Sequence, residues 1–216
     1  MRIAELSRDS GVPVPTIKYY VREGLLPPGE LTSPNQAQYN DAHLRRLKLI
    51  RALCDVGGLS VAAMRDLLAA AGSPATSTHE ALGAAQYVTT PRYGYQASDA
   101  SRQASVRQAD ELIRRRGWQV RPDSPARELL TGVLAALRDL GQDDMLALPD
   151  VYAGPAEQIA AADLAVIHKR ESLDSKLEGV IIGTVFGDTL LAALRRLAEE
   201  DASGRANPDG TRHDLR

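Results

Sequence analysis

The segment between Gly11 and Gly24 constrains the chain most, because it fits a short helix between two turns. Glycine suits the position after a helix end, and a glycine lies at each end of this segment. Proline is tolerated in a first helical turn, since its missing amide hydrogen had no partner there, and Pro15 takes that place. Ile17 and Val21 predict a buried side. The pattern predicts a short helix over residues 3–8, a turn, and a second helix from about residue 15 to residue 23.

The other side of the second helix carries hydroxyls and cations. They are Thr16, Lys18, Tyr19 and Arg22. Cations neutralise phosphates, and hydroxyls and rings position a helix against sugar and base edges. Residues 16–51 hold 6 basic and 3 acidic side chains, although the whole chain has a net charge of −2. This side therefore predicts a surface that enters a DNA groove.

The residues after this helix predict a small sheet and two more helices. A Pro-Pro-Gly turn precedes a polar loop, residues 30–39, that has room for a two-stranded wing. Asn40 is a good cap for a helix whose apolar face includes Leu47 and Leu53. The pair Gly57-Gly58 ends that helix. Ser60 then caps another with an apolar stripe, which completes a compact N-terminal domain.

This arrangement resembles the MerR family of bacterial transcription regulators, which are winged helix-turn-helix proteins. The resemblance covers roughly residues 1–70 and looks most like an actinobacterial-type branch with the wing Asn-Gln-Ala-x-Tyr. The residues that carry it are Ile3-Ala-Glu-Leu, Gly11-Val, Thr16-Ile-Lys-Tyr-Tyr, Arg22-Glu-Gly-Leu-Leu, Tyr39, Arg46-Leu, Ile50-Arg and Leu59-Ser.

The resemblance implies a homodimer on a near-palindromic promoter site, with one recognition helix in each half-site. It also implies an indirect partnership with RNA polymerase, because family activators distort an over-long promoter spacer. The DNA-binding residues that it implies, by position, are Thr16, Lys18, Tyr19, Tyr20 and Arg22 in the recognition helix, Gln36 and Tyr39 in the wing, and His43 and Arg46 in the helix after it.

Two positions depart from the family pattern. Gln36-Ala37 stands where the wing usually has Tyr-Arg, so one phosphate-binding cation is missing, and Pro15 stands where a cation is frequent. These changes leave activation by distortion and simple repression both open. Alternatives stay open for single residues too: Tyr20 and Tyr39 could be core aromatics, and His43 could be a helix residue without a DNA contact.

The C-terminal two thirds of the chain predict a helical domain. Helices are expected over residues 77–88, 98–116, 124–140, 155–170 and 173–200, with no strand beyond the wing. The predicted domains are a DNA-binding domain over 1–72, a linker with a short helix and loop over 73–99, a helical dimerisation and effector domain over 100–202, and a disordered tail over 203–216. The fold class is therefore all-α, apart from the wing.

Glycines recur every four residues, at 179, 183 and 187, along the last helix. Each costs about 1 kcal/mol relative to alanine in a helix interior. Three on one face predict that another helix approaches closely, either within the domain or across a dimer.

Residues for catalysis, metals or cofactors are not evident. The single cysteine, Cys54, excludes a disulfide within the chain and fits a reducing cytoplasm. With only one thiol, and with histidines that lack ligand-spaced partners, the sequence disfavours thiol-based metal or redox sensing. The apolar stretch 180–194 is interrupted by Asp188 and is shorter than a bilayer requires. We expect a cytoplasmic, nucleoid-associated protein that is not an enzyme.

A small organic effector would need an apolar pocket with a few polar groups. The scarce aromatics are the candidates for it: Tyr93, Tyr95, Trp118 and Tyr152. A purely structural role for these rings remains the alternative. Two functions are therefore open, a DNA-binding transcription regulator and a ligand-sequestering resistance protein built on the same scaffold.

Overall fold

The computed structural model describes residues 1–33, 36–71, 77–91 and 94–206. In these ranges helices follow one another along the chain, and one antiparallel strand pair interrupts them, as the sequence predicts. The elements are α1 (Ile3–Ser10), α2 (Val14–Arg22), β1 (Glu30–Ser33), β2 (Gln36–Gln38), α3 (Asp41–Asp55), α4 (Val61–Ala71), α5 (Thr78–Thr89), α6 (Asp99–Arg116), α7 (Pro125–Asp139), a 3-10 helix (Asp143–Ala147), α8 (Leu148–His168) and α9 (Leu173–Ala206).

The chain divides into two compact units. Unit 1 combines Met1–Met64 with the segment that begins at Ile182, and unit 2 is Arg65–Ile181. The second half of α9 thus groups with the N-terminal residues, whereas the sequence places all of 100–202 in one domain. The predicted boundary at residue 72 lies outside the described residues.

The core of unit 1 forms where α1, α2 and α3 meet. Gly24 has a φ of +73°, and this left-handed turn lets the amide of Leu25 donate to the Tyr20 carbonyl at 2.9 Å. The turn directs both leucines that follow it inward. The fully buried side chains of this core include Leu6, Ile17, Leu25, Leu26, Leu47, Ile50 and Leu53.

The wing is a short hairpin joined to the start of the chain. Strands β1 and β2 pair antiparallel, with Leu31 opposite Ala37 and an irregularity before Ser33. At the end of the wing, the Tyr39 amide donates to the Met1 carbonyl at 2.8 Å. This bond holds the wing against the beginning of α1.

Helix α9 approaches the turn between α3 and α4 closely. A β-carbon added at Gly57 would overlap the Val185 side chain and lie 2.7 Å from the Leu53 carbonyl oxygen. Val185 is itself buried. Glycine is therefore required at position 57 for this contact inside unit 1.

Unit 2 is organised around the packing of α6 on α7. Arg127 of α7 pairs with Asp110 of α6 through two hydrogen bonds of 2.7 and 2.9 Å. Arg138 donates to the buried Ser105 hydroxyl at 3.1 Å. These bonds set the register of the two helices.

The predicted start of α8 at Pro155 is wrong. The helix begins at Leu148, with Pro149 in its first turn and Pro155 inside it. A proline in a helix interior removes one backbone hydrogen bond, here the one that the carbonyl of residue 151 would accept. Pro149 therefore takes the place in the first helical turn.

Helix α9 is longer than predicted. It continues to Ala206, so residues 203–206 of the predicted tail are helical, and the rest of that tail lies outside the described residues.

The span Ser175–Ala206 of α9 is long and apolar enough, by length and composition alone, to cross a membrane. The sequence suggested a stretch too short for this. Core helices of soluble proteins meet the same criterion.

Candidate nucleic-acid interface

Helix α2 separates a buried side from an exposed side. Ile17 is fully buried, whereas Lys18 and Arg22 are exposed and Thr16 and Tyr19 are half-buried. The Arg22 guanidinium lies 5.2 Å from the centre of the Tyr19 ring, within the range of a cation–π contact. Four of the five side chains predicted for the recognition helix therefore share a surface that solvent reaches.

Tyr20 belongs to the other side. Its side chain is 8% exposed, and burial raises the pKa of its hydroxyl. The neighbouring Cys54 thiol contributes to this shift, and burial raises the pKa of that thiol as well. The structure thus favours the alternative in which Tyr20 is a core aromatic, and Cys54 packs beside it as an unreactive thiol.

Asn40 and His43 form the cap of α3. The Asn40 side-chain oxygen accepts hydrogen bonds from the amides of Ala42 and His43 at 3.1 and 3.3 Å. The Nδ1 atom of His43 lies 2.7 Å from the same oxygen, and the Tyr39 ring meets the imidazole edge-on at 5.2 Å. His43 Nε2 is buried without a hydrogen-bond partner in the described structure. The ring of His43 thus supports the junction of wing and helix, and the Tyr39 ring packs on it.

Arg46 and Gln36 differ in their surroundings. Arg46 Nε donates to the Leu25 carbonyl at 2.8 Å, so this side chain joins α3 to the turn after α2. Gln36 is exposed at the beginning of β2. Of the two side chains, Gln36 is the more exposed to solvent.

A second cationic cluster lies between the end of α1 and α3. A shallow depression of about 550 Å³ is lined by the cations Arg8, Lys48 and Arg51, with Asp9 and Asp55 between them. Arg51 is held there by a hydrogen bond of 3.3 Å to the Ser10 carbonyl. The sequence shows the basic residues of α3 on an exposed face, but their meeting with Arg8 depends on how the helices pack.

The predicted effector residues of unit 2 do not share one pocket. Tyr95 lines a cavity of about 480 Å³ and Trp118 lines another of about 710 Å³, while Tyr152 lies on the exposed surface of α8. Trp118 Nε1 donates to Glu157 at 2.9 Å, which joins the end of α6 to α8. Tyr93 lies outside the described residues.

Asp139 holds the residues that precede α6. Its carboxylate accepts hydrogen bonds from the Tyr95 hydroxyl at 3.0 Å, the Ser98 amide at 3.0 Å and the Ser98 hydroxyl at 2.8 Å. Hydrogen bonding from the Ser101 hydroxyl, together with that from Ser98, lowers the pKa of Asp139 to about 2. The ring of Tyr95 is thereby held at the edge of its cavity.

Titratable side chains do not gather into a metal site in the described ranges. No group of three or more histidine, cysteine, aspartate or glutamate residues lies close enough there to hold an ion. The described structure instead presents two cationic surfaces in unit 1, on α2 and between α1 and α3, and two mainly apolar cavities in unit 2.

Two short helices joined by a glycine turn, a two-stranded wing and a capped helix define a winged helix-turn-helix DNA-binding protein. Residues 1–71 match the model of the MerR HTH family regulatory proteins. The chain belongs to the MerR family: it is a DNA-binding transcriptional regulator and not an enzyme. The family implies a cytoplasmic protein.

Two relatives extend the comparison. An HTH-type transcriptional regulator ZntR homolog of Haemophilus influenzae is 48% identical over 50 residues, which are 23% of this chain and 37% of that protein. The match thus spans little more than a third of that relative. The crystal structure of the putative transcriptional regulator SCO5550 from Streptomyces coelicolor A3(2) is 33% identical, with a TM-score of 0.67 over 95% of this chain and 97% of that one. The predicted family and fold class are confirmed, and the actinobacterial branch stays a prediction.

Proposed function

We propose that the protein is a homodimeric, sequence-specific regulator that binds a near-palindromic promoter site with one α2 helix in each half-site. The observation that carries this proposal is the separation of α2 into a buried apolar side and an exposed side with Lys18 and Arg22. A rigid core beneath a short helix is what lets exposed side chains keep their positions in a major groove.

The role of each α2 side chain follows from its place on the helix. Thr16 lies in the first turn, where recognition helices contact base edges. Lys18 and Arg22 are one turn apart and supply charge for phosphates or guanine. Tyr19 lies under the Arg22 guanidinium and limits where it can point.

Fluorescence anisotropy tests this surface. The probe is a DNA fragment selected from the region upstream of the gene that encodes the protein. Lys18→Ala and Arg22→Ala should each weaken DNA binding tenfold or more. Each should also reduce by about one the slope of the logarithm of the binding constant against the logarithm of the salt concentration. Arg114→Ala is the matched control, because it removes an exposed, ion-paired arginine of unit 2. Parent-like DNA binding in both α2 variants would refute the placement of this helix.

The dimer is proposed to form through the second half of α9. Gly183, Gly187, Leu190, Leu194 and Leu197 follow one another at spacings of four, three, four and three residues, which places them along one stripe. The three leucines are 61, 55 and 62% exposed in the single chain. Such a stripe is apolar surface that a partner helix would cover.

The order of residues along the stripe favours an antiparallel pair. Gly183 and Leu197 are each seven residues from Leu190, while Gly187 and Leu194 are three and four residues from it. A two-fold axis at Leu190 would therefore place large residues of one copy against glycines of the other. In a parallel pair, the leucines of the two copies would face each other at one end of the stripe. The glycines of the two copies would face each other at the other end and leave a gap there.

Analytical ultracentrifugation tests this pairing. Leu194→Lys should weaken dimerisation about 100-fold, because it would bury a charge, whereas the same change at the exposed Leu140, which follows α7, should have no effect. Gly183→Leu should also weaken the dimer, since its β-carbon meets nothing within 4 Å in the single chain. The exchange Gly183→Leu with Leu197→Gly should restore the dimer. If the exchange is no better than the single change, the antiparallel register is wrong.

Control by a small organic effector bound in unit 2 is part of the proposal. The cavities beside Tyr95 and Trp118 support it, because ligand sites are concave, mostly apolar and of this size. They equally favour the second candidate, a ligand-sequestering resistance protein. Tight, sequence-selective and salt-sensitive DNA binding supports the regulator. Micromolar ligand affinity without selective DNA binding supports sequestration.

The sign of regulation is tested by transcription in vitro. A regulator that engages RNA polymerase through promoter distortion should raise transcript yield only from a promoter with an over-long spacer. Repression should lower yield whatever the spacer length. We also propose association with the nucleoid, which follows from DNA binding and is tested by chromatin immunoprecipitation.

A further inference from the structure

We infer that the cavity of about 480 Å³ in unit 2, called the α7 cavity below, binds a small organic cation with an apolar body. The inference rests on the proposed effector control and adds the chemical class of the effector. It is carried by an uncovered stripe of α7, by two tyrosines that face it, and by the charges at its rim.

The floor of the α7 cavity is one face of a single helix. Its residues recur at intervals of three and one, so that all lie on the same side of α7: Pro125, Glu128, Leu129, Gly132, Val133 and Ala136. Val133 is 46% exposed although it lies in the middle of the helix. A β-carbon at Gly132 would meet nothing within 4 Å. The protein therefore leaves a mainly apolar groove over this face, with open space above the glycine.

Aromatic rings form the walls. Tyr87 of α5 and Tyr95, which precedes α6, both line the cavity, and each side chain is about half exposed, at 49 and 50%. The Tyr95 hydroxyl is held by Asp139, so its ring cannot swing away without breaking a hydrogen bond to a carboxylate. Two ring faces and the floor of α7 suit a flat or compact apolar body.

The charges at the rim select a cation. Glu128 and Asp123 supply two negative charges, and Arg102 supplies one positive charge. Arg102 is bonded to Glu128 at 2.7 Å, and Asp123 lies 3.5 Å from Arg121, which is not part of this lining. Both carboxylates are therefore paired with arginines, but the Asp123–Arg121 pair is the longer one and both of its side chains are exposed. A monocation in the cavity can compete with Arg121 for this carboxylate, and it also gains from the tyrosine rings.

The larger cavity is the natural comparison. It shares Tyr87 and Pro125 with the α7 cavity, and its charged lining residues are Glu80, Arg121 and Arg127. Arginines therefore outnumber carboxylates in its lining, whereas carboxylates outnumber arginines in the lining of the α7 cavity. We therefore expect a cation to bind more tightly in the α7 cavity than in the larger one.

Isothermal titration calorimetry on the full-length protein tests the choice. The probes are (1-naphthylmethyl)trimethylammonium and its neutral isostere, in which carbon replaces the nitrogen. The cation should bind at least tenfold more tightly than the isostere. Equal affinities, or no saturable binding of the cation, would overturn the inference.

Two glycine substitutions locate the site. Gly132 lines only the α7 cavity and Gly83 of α5 lines only the larger one, and both have open space where a side chain would begin. Gly132→Phe should lower cation affinity at least tenfold, and Gly83→Phe should leave it within twofold of the parent. The reverse result would place the cation in the other cavity and refute the assignment.

Two charge variants should act in opposite directions. Glu128→Gln should weaken cation binding about three- to tenfold, whereas Arg102→Gln should strengthen it, although both break the same ion pair. Weakening by both would show that the pair acts only structurally. DNA binding by the same variants without probe should equal that of the parent. If the protein binds DNA but not the cation, the inference fails and the regulator proposal stands; if neither binds, both fail.

Discussion

Helices α2 and α7 are both amphipathic, but the apolar side of α2 is covered more completely: Ile17 and Tyr20 are buried and Val21 is half-buried. Ile17 of α2 is wholly buried, whereas Val133 of α7 is 46% exposed on a stripe that borders a cavity. The polar side of α2 is the surface that reaches DNA in our proposal. In α7 it is the apolar side that remains available.

This contrast separates two uses of one helical pattern. A covered apolar side makes a rigid base, from which exposed polar residues can act at fixed positions. An apolar side left partly open is surface that gains free energy when a ligand covers it. Periodicity indicates which side of a helix is apolar, but not what covers it.

The largest expected effect on stability comes from truncating the buried side chain beneath α2. Ile17→Ala should lower the free energy of unfolding of unit 1 by about 2–4 kcal/mol, since it leaves a void under the helix. Urea denaturation followed by circular dichroism measures this. Val133→Ala in α7 is the control, with an expected loss of less than about 1 kcal/mol at a half-exposed site. Equal losses at the two sites would remove the contrast.

Gly57→Ala should have the next largest effect. The added methyl overlaps Val185 of α9, so we expect a loss of about 1–3 kcal/mol. The matched control is Gly83→Ala, where the new methyl has open space. A parent-like denaturation midpoint for Gly57→Ala would show that α9 does not pack on this turn.

Most of unit 1 could be predicted from the sequence, because its signals are local. Glycines at 11 and 24 end helices, Asn40 caps α3, and the observed α2 is shifted by only one residue at each end from the predicted range 15–23. The wing and the helical class of the rest of the described chain are as predicted, apart from the start of α8 and the end of α9. The helix predicted over 77–88 is also present as α5, and Ser77 with Glu80 forms a capping box at its start.

What the sequence could not supply are contacts between distant residues. Asp139 is hydrogen-bonded to Tyr95, which is 44 residues away in the sequence, and Trp118 is hydrogen-bonded to Glu157, which is 39 residues away. Such pairs depend on how helices pack, which helical periodicity does not determine. For the same reason the burial of Tyr20 stayed an open alternative: it shares α2 with exposed neighbours, and its partner Cys54 lies on α3.

The uncovered side of α7 predicts a gain rather than a loss. Gly132→Ala should raise the free energy of unfolding of unit 2 by roughly 0.5–1 kcal/mol, because alanine is the better helix former and its methyl meets nothing within 4 Å. Differential scanning calorimetry measures it. A loss at this position would mean that the cavity is closed in solution, and the contrast with α2 would then be weaker than the structure indicates.

The smallest effect concerns Asp139, at the rim of the α7 cavity. Its pKa is lowered to about 2, so the folded state favours its ionised form. The stabilisation is complete above the ordinary aspartate pKa near 3.8, and it is lost as the pH falls from there towards 2. Carbon-13 NMR of the carboxyl group follows this titration directly. Tyr95→Phe removes one donor and should raise the pKa of Asp139 slightly. An Asp139 that titrates near its ordinary value in the parent would show that the residues before α6 are not held at the cavity, and the open side of α7 would then lack one of its walls.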